Sequence, residues 1–193
     1  MRIIAGRFKG LRLPSPLKQG VRPTTDRVRE ALFSTLGHEV EDSRVLDLFA
    51  GTGAFGFEAL SRGAASVVFV DDDRQVTHTL IETCDALRVV DQARILTMSA
   101  DQAVTKLVDS ADKFTIVFLD PPYGTEWVPK VVCNPVFADL FAPDGLLIIE
   151  REEKAPELAI PAGFAKEFSR KYGGTVVEIF RYYGEDLSLS SSK

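Results

Sequence analysis

The stretch RVLDLFAGTGAFG, residues 44–56, decides the fold because it joins an apolar strand to a helix through a glycine-rich turn. Residues 44–49 have the apolar run typical of a strand that is covered on both faces of a sheet. Gly51, Gly53 and Gly56 spell G-x-G-x-x-G, the spacing of a turn whose backbone can approach a ligand closely. The stretch predicts a strand–turn–helix unit with a ligand site at the turn, and the alternative is a turn that only packs the helix onto the sheet.

The rest of the chain repeats this alternation of strands and helices. Strands are predicted at 44–49, 66–70, 93–97, 114–119 and 145–150, and helices at 54–62, 74–87, 101–109 and 127–141, the last interrupted near Pro135. Two closing strands, 164–171 and 174–182, flank a turn at Gly173 and Gly174. We therefore predict an α/β fold with a Rossmann-like, seven-stranded, mostly parallel sheet whose last strand is antiparallel.

Three segments are predicted along the chain. Residues 1–23 form an N-terminal extension, with a β-hairpin at 2–13 followed by a loop, and residues 24–183 form the main domain. A helix follows the loop, capped by Thr24 or Thr25 and ended by Gly37. The polar tail, 184–193, is predicted to be disordered.

Composition narrows the class of protein. Hydrophobic content is 45% and charged content 26% over 193 residues, which is ordinary for a soluble globular domain. We expect no membrane segment or signal peptide, and a cytoplasmic location. Cys84 and Cys133 have neither CxxC spacing nor a nearby histidine, so we interpret both as reduced, buried thiols without a metal role.

The charge is distributed unevenly along the chain. Residues 1–29 carry eight basic residues against one acid, a charge of +7, which leaves −12 on the rest because the total is −5. A basic extension on an acidic body indicates a local contact with a polyanion, and the alternative is a solvated hairpin that happens to be basic.

Acidic residues follow three successive strands and indicate the cofactor. Asp47 stands beside the glycine turn, where it would repel a pyrophosphate but attract the amino-acid end of S-adenosylmethionine (SAM). Asp71 can accept hydrogen bonds from ribose hydroxyls. Asp101 can bind the adenine amino group, or it can cap the next helix, or both. Asp72 and Asp73 are interpreted as solvated residues at a helix start.

The tetrapeptide Asp120-Pro121-Pro122-Tyr123 follows the fourth strand and indicates an amino-group substrate. The Asp120 carboxylate and the Pro121 carbonyl can accept the two N–H hydrogens of an exocyclic amine, which turns its lone pair towards a methyl donor. Pro122 stiffens the loop, and Tyr123 can stack on a flipped base. The alternative is a strand-ending turn with a surface tyrosine.

Together DLFAGTG, LDPPY and R22-PTTDRVREALF resemble the bacterial 16S rRNA guanine-N2 methyltransferases of the RsmD type, which are class I SAM-dependent enzymes. The resemblance covers residues 1–183 and implies methyl transfer to the 2-amino group of one guanine in small-subunit rRNA. It implies a methyltransferase domain at 24–183, catalytic Asp120 to Tyr123, and a cofactor site. The cofactor residues it implies are Asp47, Phe49, Gly51, Thr52, Gly53, Asp71 and Asp101. Asp71 departs from the family, where glutamate often stands first.

The basic extension would then bind rRNA, either free or within an assembled ribosomal particle. The candidate contacts are Arg7, Lys9, Arg12 and Arg22, while Arg27 and Arg29 could instead pair with Asp26 or Glu30. Glu150 either touches substrate or is a loop acid. Two other functions are kept open, an adenine-N6 methyltransferase on DNA or RNA and a non-catalytic RNA-binding assembly factor with this fold.

Overall fold

A computed structural model describes residues 1–14, 26–122, 124 and 126–184 of the chain. Two compact units divide the chain, Met1–Ala100 and Asp101–Lys193. The predicted cap at Thr24 or Thr25, the loop around them and the predicted disordered tail from 185 onward lie outside the described residues.

The first unit is built on three parallel strands. Helix α1 (Asp26–Leu36) and a 3-10 turn (Gly37–Val40) precede β1 (Arg44–Asp47), α2 (Ala54–Ser61), β2 (Ser66–Asp71), α3 (Arg74–Leu87), a 3-10 turn (Val90–Gln92) and β3 (Ala93–Thr97). β2 pairs in parallel with both β1 and β3. The buried rings of Phe57 on α2 and Phe69 on β2 lie 4.8 Å apart, so an aromatic contact fixes the helix that follows the glycine turn onto the sheet.

The second unit holds the remaining strands. Its elements are α4 (Ala100–Asp109), β4 (Phe114–Leu119), α5 (Trp127–Val132), a 3-10 turn (Phe137–Leu140), β5 (Phe141–Glu152), β6 (Phe164–Tyr172) and β7 (Thr175–Tyr182). β4 and β5 are parallel, whereas β7 is antiparallel to both β5 and β6. The complete strand order is β3-β2-β1-β4-β5-β7-β6. The predicted seven-stranded α/β sheet with an antiparallel last strand is confirmed.

The interruption predicted near Pro135 is present: α5 ends at Val132 and a 3-10 turn begins at Phe137, because Pro135 has no backbone N–H and the Asn134 side chain accepts from the Val136 N–H at 3.1 Å. Two other local expectations were wrong. β5 runs to Glu152 because β7 pairs with it over its whole second half, so Glu150 is a buried strand residue and no loop acid. Cys133 is exposed just after α5, whereas Cys84 is buried, which raises the pKa of its thiol to about 11.

The N-terminal arm, residues 1–14, has one antiparallel bridge between Arg2 and Arg12 rather than two regular strands. Backbone hydrogen bonds from Ile3 to Leu11 and from Gly10 back to Ile3 join its two halves. Within the described part of the chain, no helix has both the length and the apolar character required to cross a bilayer.

Candidate cofactor and substrate site

The glycine turn has the geometry that its sequence predicts for close backbone approach. Gly51 and Gly53 both adopt positive φ, at +50° and +71°. A β-carbon on Gly53 would lie 2.5 Å from the Phe57 ring, so this glycine is required by packing under α2. A β-carbon on Gly51 would meet nothing within 4 Å, so the backbone on that side is open to a ligand.

Asp47 and Asp71 flank this turn and are tied to it by hydrogen bonds. Asp47 is 1% exposed, and its Oδ2 accepts from the N–H of Gly56, in the first turn of α2, at 3.3 Å. Asp71 Oδ2 accepts from the Gly51 N–H at 2.9 Å, and its Oδ1 accepts from Asp73 N–H at 3.0 Å. Burial raises the pKa of Asp71 above its ordinary value, although these two hydrogen bonds oppose the rise. Each carboxylate is thereby fixed in place at the end of its strand.

The same unit contains three further residues that the sequence analysis singled out, Phe49, Thr52 and Asp73. Phe49 is half-buried after β1, and the hydroxyl of the buried Thr52 donates to the Met1 sulfur at 3.4 Å. Asp73 caps α3 by accepting from the Gln75 N–H at 2.8 Å, which agrees with its interpretation as a helix-start residue.

In the second unit, Asp101 lies in the first turn of α4, two residues beyond the cap position, because the helix begins at Ala100. Its Oδ2 is 2.9 Å from the Lys130 Nζ on α5. This ion pair could not be predicted, since nearly thirty positions separate the two residues and no periodicity relates them.

The residues that follow β4 begin the predicted substrate loop. Asp120 comes directly after Leu119, the last residue of β4, and Pro121 is buried while Pro122 is exposed. Tyr123 lies outside the described residues, as does Arg22. Among the described residues, no group of three or more His, Cys, Asp or Glu side chains is arranged to hold a metal ion.

The basic residues of the N-terminal region divide into two groups. Arg7, Lys9 and Arg12 are exposed on the arm, and the Arg7 guanidinium lies 4.5 Å above the Phe8 ring. Arg29 is only 2% exposed and pairs with Asp26 at 3.0 Å, which is the structural alternative that the sequence left open. Arg29 is therefore not available to a polyanion.

Sequence reasoning missed the residue that anchors the arm, Glu58 on α2. Its carboxylate is fully buried and accepts hydrogen bonds from the Ile4 N–H at 2.7 Å, the Ala5 N–H at 3.0 Å and the Arg62 side chain at 2.7 Å. The Arg29 Nε lies 3.8 Å away. An available signal was the i,i+4 pairing of Glu58 with Arg62 within an otherwise apolar helix.

The chain matches known proteins over nearly its whole length. Residues 1–181 match the family model described as Conserved hypothetical protein 95. Ribosomal RNA small subunit methyltransferase D of Escherichia coli (strain K12) is 33% identical over 94% of this chain and 89% of its own length. The protein of the same name from Haemophilus influenzae is 36% identical, over 81% of each chain.

Solved structures also resemble this chain over nearly its whole length. The structure of yhhF from Escherichia coli superposes with a TM-score of 0.81 at 33% identity, covering 95% of this chain and 98% of that one. An RNA methyltransferase from Salinibacter ruber in complex with S-adenosyl-L-homocysteine has a TM-score of 0.63 at 16% identity, covering 85% and 95%, and so supports the fold alone. The glycine turn, the acids beside it and the Asp-Pro-Pro sequence after β4 thus occur in a chain that belongs to the Conserved hypothetical protein 95 family, the RsmD-type methyltransferases.

Proposed function

We propose that this protein transfers a methyl group from SAM to the exocyclic 2-amino group of a guanine in small-subunit ribosomal RNA. The observation that carries the proposal is the Asp120-Pro121-Pro122 sequence directly after β4 in a sheet whose β1 ends at the glycine turn. The glycine turn directly follows β1, and ligands of doubly wound sheets bind outside the carboxyl ends of the strands. Relatives named as small-subunit rRNA methyltransferases support the choice of RNA.

The residues present fit SAM. Asp47 and Asp71 place two carboxylates around an open glycine turn, which suits a ligand with an ammonium group and a ribose diol but without phosphate. We assign Asp47, Phe49, Gly51, Thr52 and Gly53 to the methionine end and Asp71 to the ribose. Asp101 is assigned to the adenine, while its Oδ2 keeps the ion pair with Lys130. When bound, SAM supplies an electrophilic methyl group on a sulfonium.

The chain's own residues then orient the nucleophile. The Asp120 carboxylate and the Pro121 carbonyl accept the two N–H hydrogens of the guanine amino group, so that its nitrogen lone pair points at the methyl carbon. Tyr123 stacks on the flipped base and Pro122 limits loop movement. With SAM held there, the methyl group would pass to this nitrogen, the electron pair of the broken C–S bond would remain on the sulfur, and the nitrogen would release a proton to water.

The test is nucleoside mass analysis after the purified protein and labelled SAM react with small ribosomal subunits that lack the modification. We expect N2-methylguanosine. Methylated adenosine instead would establish the adenine-N6 alternative, and RNA binding without any methylated product would establish the non-catalytic one.

An Asp120→Ala variant tests the role of the carboxylate. By analogy with removal of one preorganised electrostatic contact, we expect kcat to fall about 100- to 1,000-fold while the affinity for SAM stays unchanged. Asp91→Asn, at an exposed acid in a 3-10 turn, is the control and should retain full turnover. Full turnover by the Asp120 variant would refute its assignment.

A further inference from the structure

A pocket of about 320 Å³ opens beside the start of α5 and belongs to none of the assignments above. Its described lining is Glu126, Trp127, Pro129 and Lys130. Trp127 is the single tryptophan of the chain and is half-buried, while the other three residues are exposed. The volume falls within the range of sites that hold a small molecule or part of a larger one.

Lys130 is held in a fixed position at this pocket. Its Nζ lies 4.3 Å from the centroid of the Trp127 ring and 2.9 Å from Asp101 Oδ2. The carboxylate neutralises the ammonium, and the cation restrains the indole. An aromatic surface that is already restrained loses little side-chain entropy when a ligand stacks on it.

We propose that this pocket binds a second nucleobase of the RNA, stacked on Trp127, next to the base that is methylated. The inference rests on the proposed function and names a further specificity contact for it. Glu126 places a carboxylate at the pocket, which repels phosphate but accepts hydrogen bonds from a base edge that carries an amino group. The occupant is therefore a base and not the backbone.

The position of the pocket along the chain suits a neighbour of the target nucleotide. Trp127 is five residues beyond Pro122, so their Cα atoms are at most about 18 Å apart, a span of a few nucleotides. Bases of single-stranded RNA are commonly splayed onto aromatic side chains in this way. A pocket at this distance from the substrate loop can recognise a nucleotide that neighbours the methylated base.

The single tryptophan provides a direct assay. Titrating the wild-type protein with a short single-stranded RNA that contains one guanine should quench its tryptophan fluorescence, because a stacked base contacts the indole. Titration with S-adenosyl-L-homocysteine alone should leave the emission nearly unchanged. Strong quenching by S-adenosyl-L-homocysteine, together with none by RNA, would show that Trp127 contacts the adenosyl group and would overturn the proposal.

Affinity measurements locate the base. Trp127→Ala should weaken RNA binding about 5- to 150-fold, the range for loss of one base–aromatic stack, whereas Trp127→Phe should keep most of the affinity. Tyr183→Ala removes a 47% exposed ring elsewhere and should change nothing. SAM affinity should be equal in all four proteins.

A double-mutant cycle is completed by replacing one nucleotide of the same RNA at a time with an abasic nucleotide and measuring binding to the wild type and to Trp127→Ala. One position beside the target should weaken binding to the wild type but not to Trp127→Ala, and equal effects at every position would refute the pocket assignment. Because these readouts measure binding, they remain informative if no methylated guanosine is formed, so failure of the proposed function is distinguishable from failure of this inference.

Discussion

Substitution of Gly6 by alanine should detach the N-terminal arm from α2. Gly6 has φ of +79°, and a β-carbon there would lie 1.8 Å from the Ser61 carbonyl oxygen, which is backbone and cannot rotate away. Relief requires the arm to move off the helix. That movement would break the bond from the Arg7 N–H to the Ser61 carbonyl (2.8 Å) and the bonds from Ile4 and Ala5 to Glu58.

The magnitude follows from what the movement leaves exposed or unpaired. Positive φ in a non-glycine residue costs about 1–2 kcal/mol. A buried polar group that loses its partners costs about 1–3 kcal/mol, and Glu58 would lose two backbone donors. We therefore expect the free energy of unfolding to fall by about 2–5 kcal/mol, or the arm to detach at a lower cost.

Gly10→Ala is the matched control. Gly10 has φ of +85° and nothing within 4 Å of a β-carbon, so it carries the same backbone strain without the clash. Urea unfolding should separate the two variants by about 1–3 kcal/mol. If the arm detaches instead, hydrogen exchange at the Ile4 and Ala5 amides should accelerate only in Gly6→Ala. Equal stability together with equal amide protection would refute the docking argument.

Two further predictions concern charge. Combined replacement of the exposed arm cations Arg7, Lys9 and Arg12 by alanine should weaken RNA binding. The slope of log K against log salt should fall by about 2, because each lost phosphate contact contributes about 0.7. An unchanged slope would show that these residues do not contact the RNA. Glu178→Gln should lower the free energy of unfolding by about 1–3 kcal/mol, because the buried carboxylate pairs with Arg151 at 2.8 Å and with the partly exposed Lys166 at 2.7 Å. Burial alone would raise the pKa of Glu178, but these partners hold it below its ordinary 4.5, so the stabilisation is present above pH 4.5 and is lost as the pH falls through the lower folded value. Urea unfolding at neutral and acidic pH measures this loss. Glu167→Gln is the control: it breaks the more exposed pair with Arg181 and should lower the free energy of unfolding by less than about 1 kcal/mol.

Much of the fold was predictable because strand and helix periods are local properties of the sequence. β3, α3 and β4 have the predicted limits, and the antiparallel β7 followed from the short Gly173-Gly174 turn. The acids at the glycine turn were predictable for the same reason, since they stand directly after apolar runs. Contacts such as Lys130 with Asp101 join distant parts of the chain through side-chain geometry, and no local pattern encodes them.

The buried Glu58 also changes how the charge of the N-terminal region should be interpreted. Counting residues 1–29 as one basic surface of +7 treats every cation as available to RNA. The buried Arg29 instead lies against Asp26 and the buried Glu58, and Arg2 lies 3.5 Å from Asp26. These cations compensate Asp26 on α1 and Glu58, and Glu58 holds the arm on α2, a helix that begins at the glycine turn. The exposed cations of the arm are thereby held against α2. RNA bound to them would lie at a fixed distance from the glycine turn. Loss of Glu58 should therefore weaken RNA binding without removing a single positive charge.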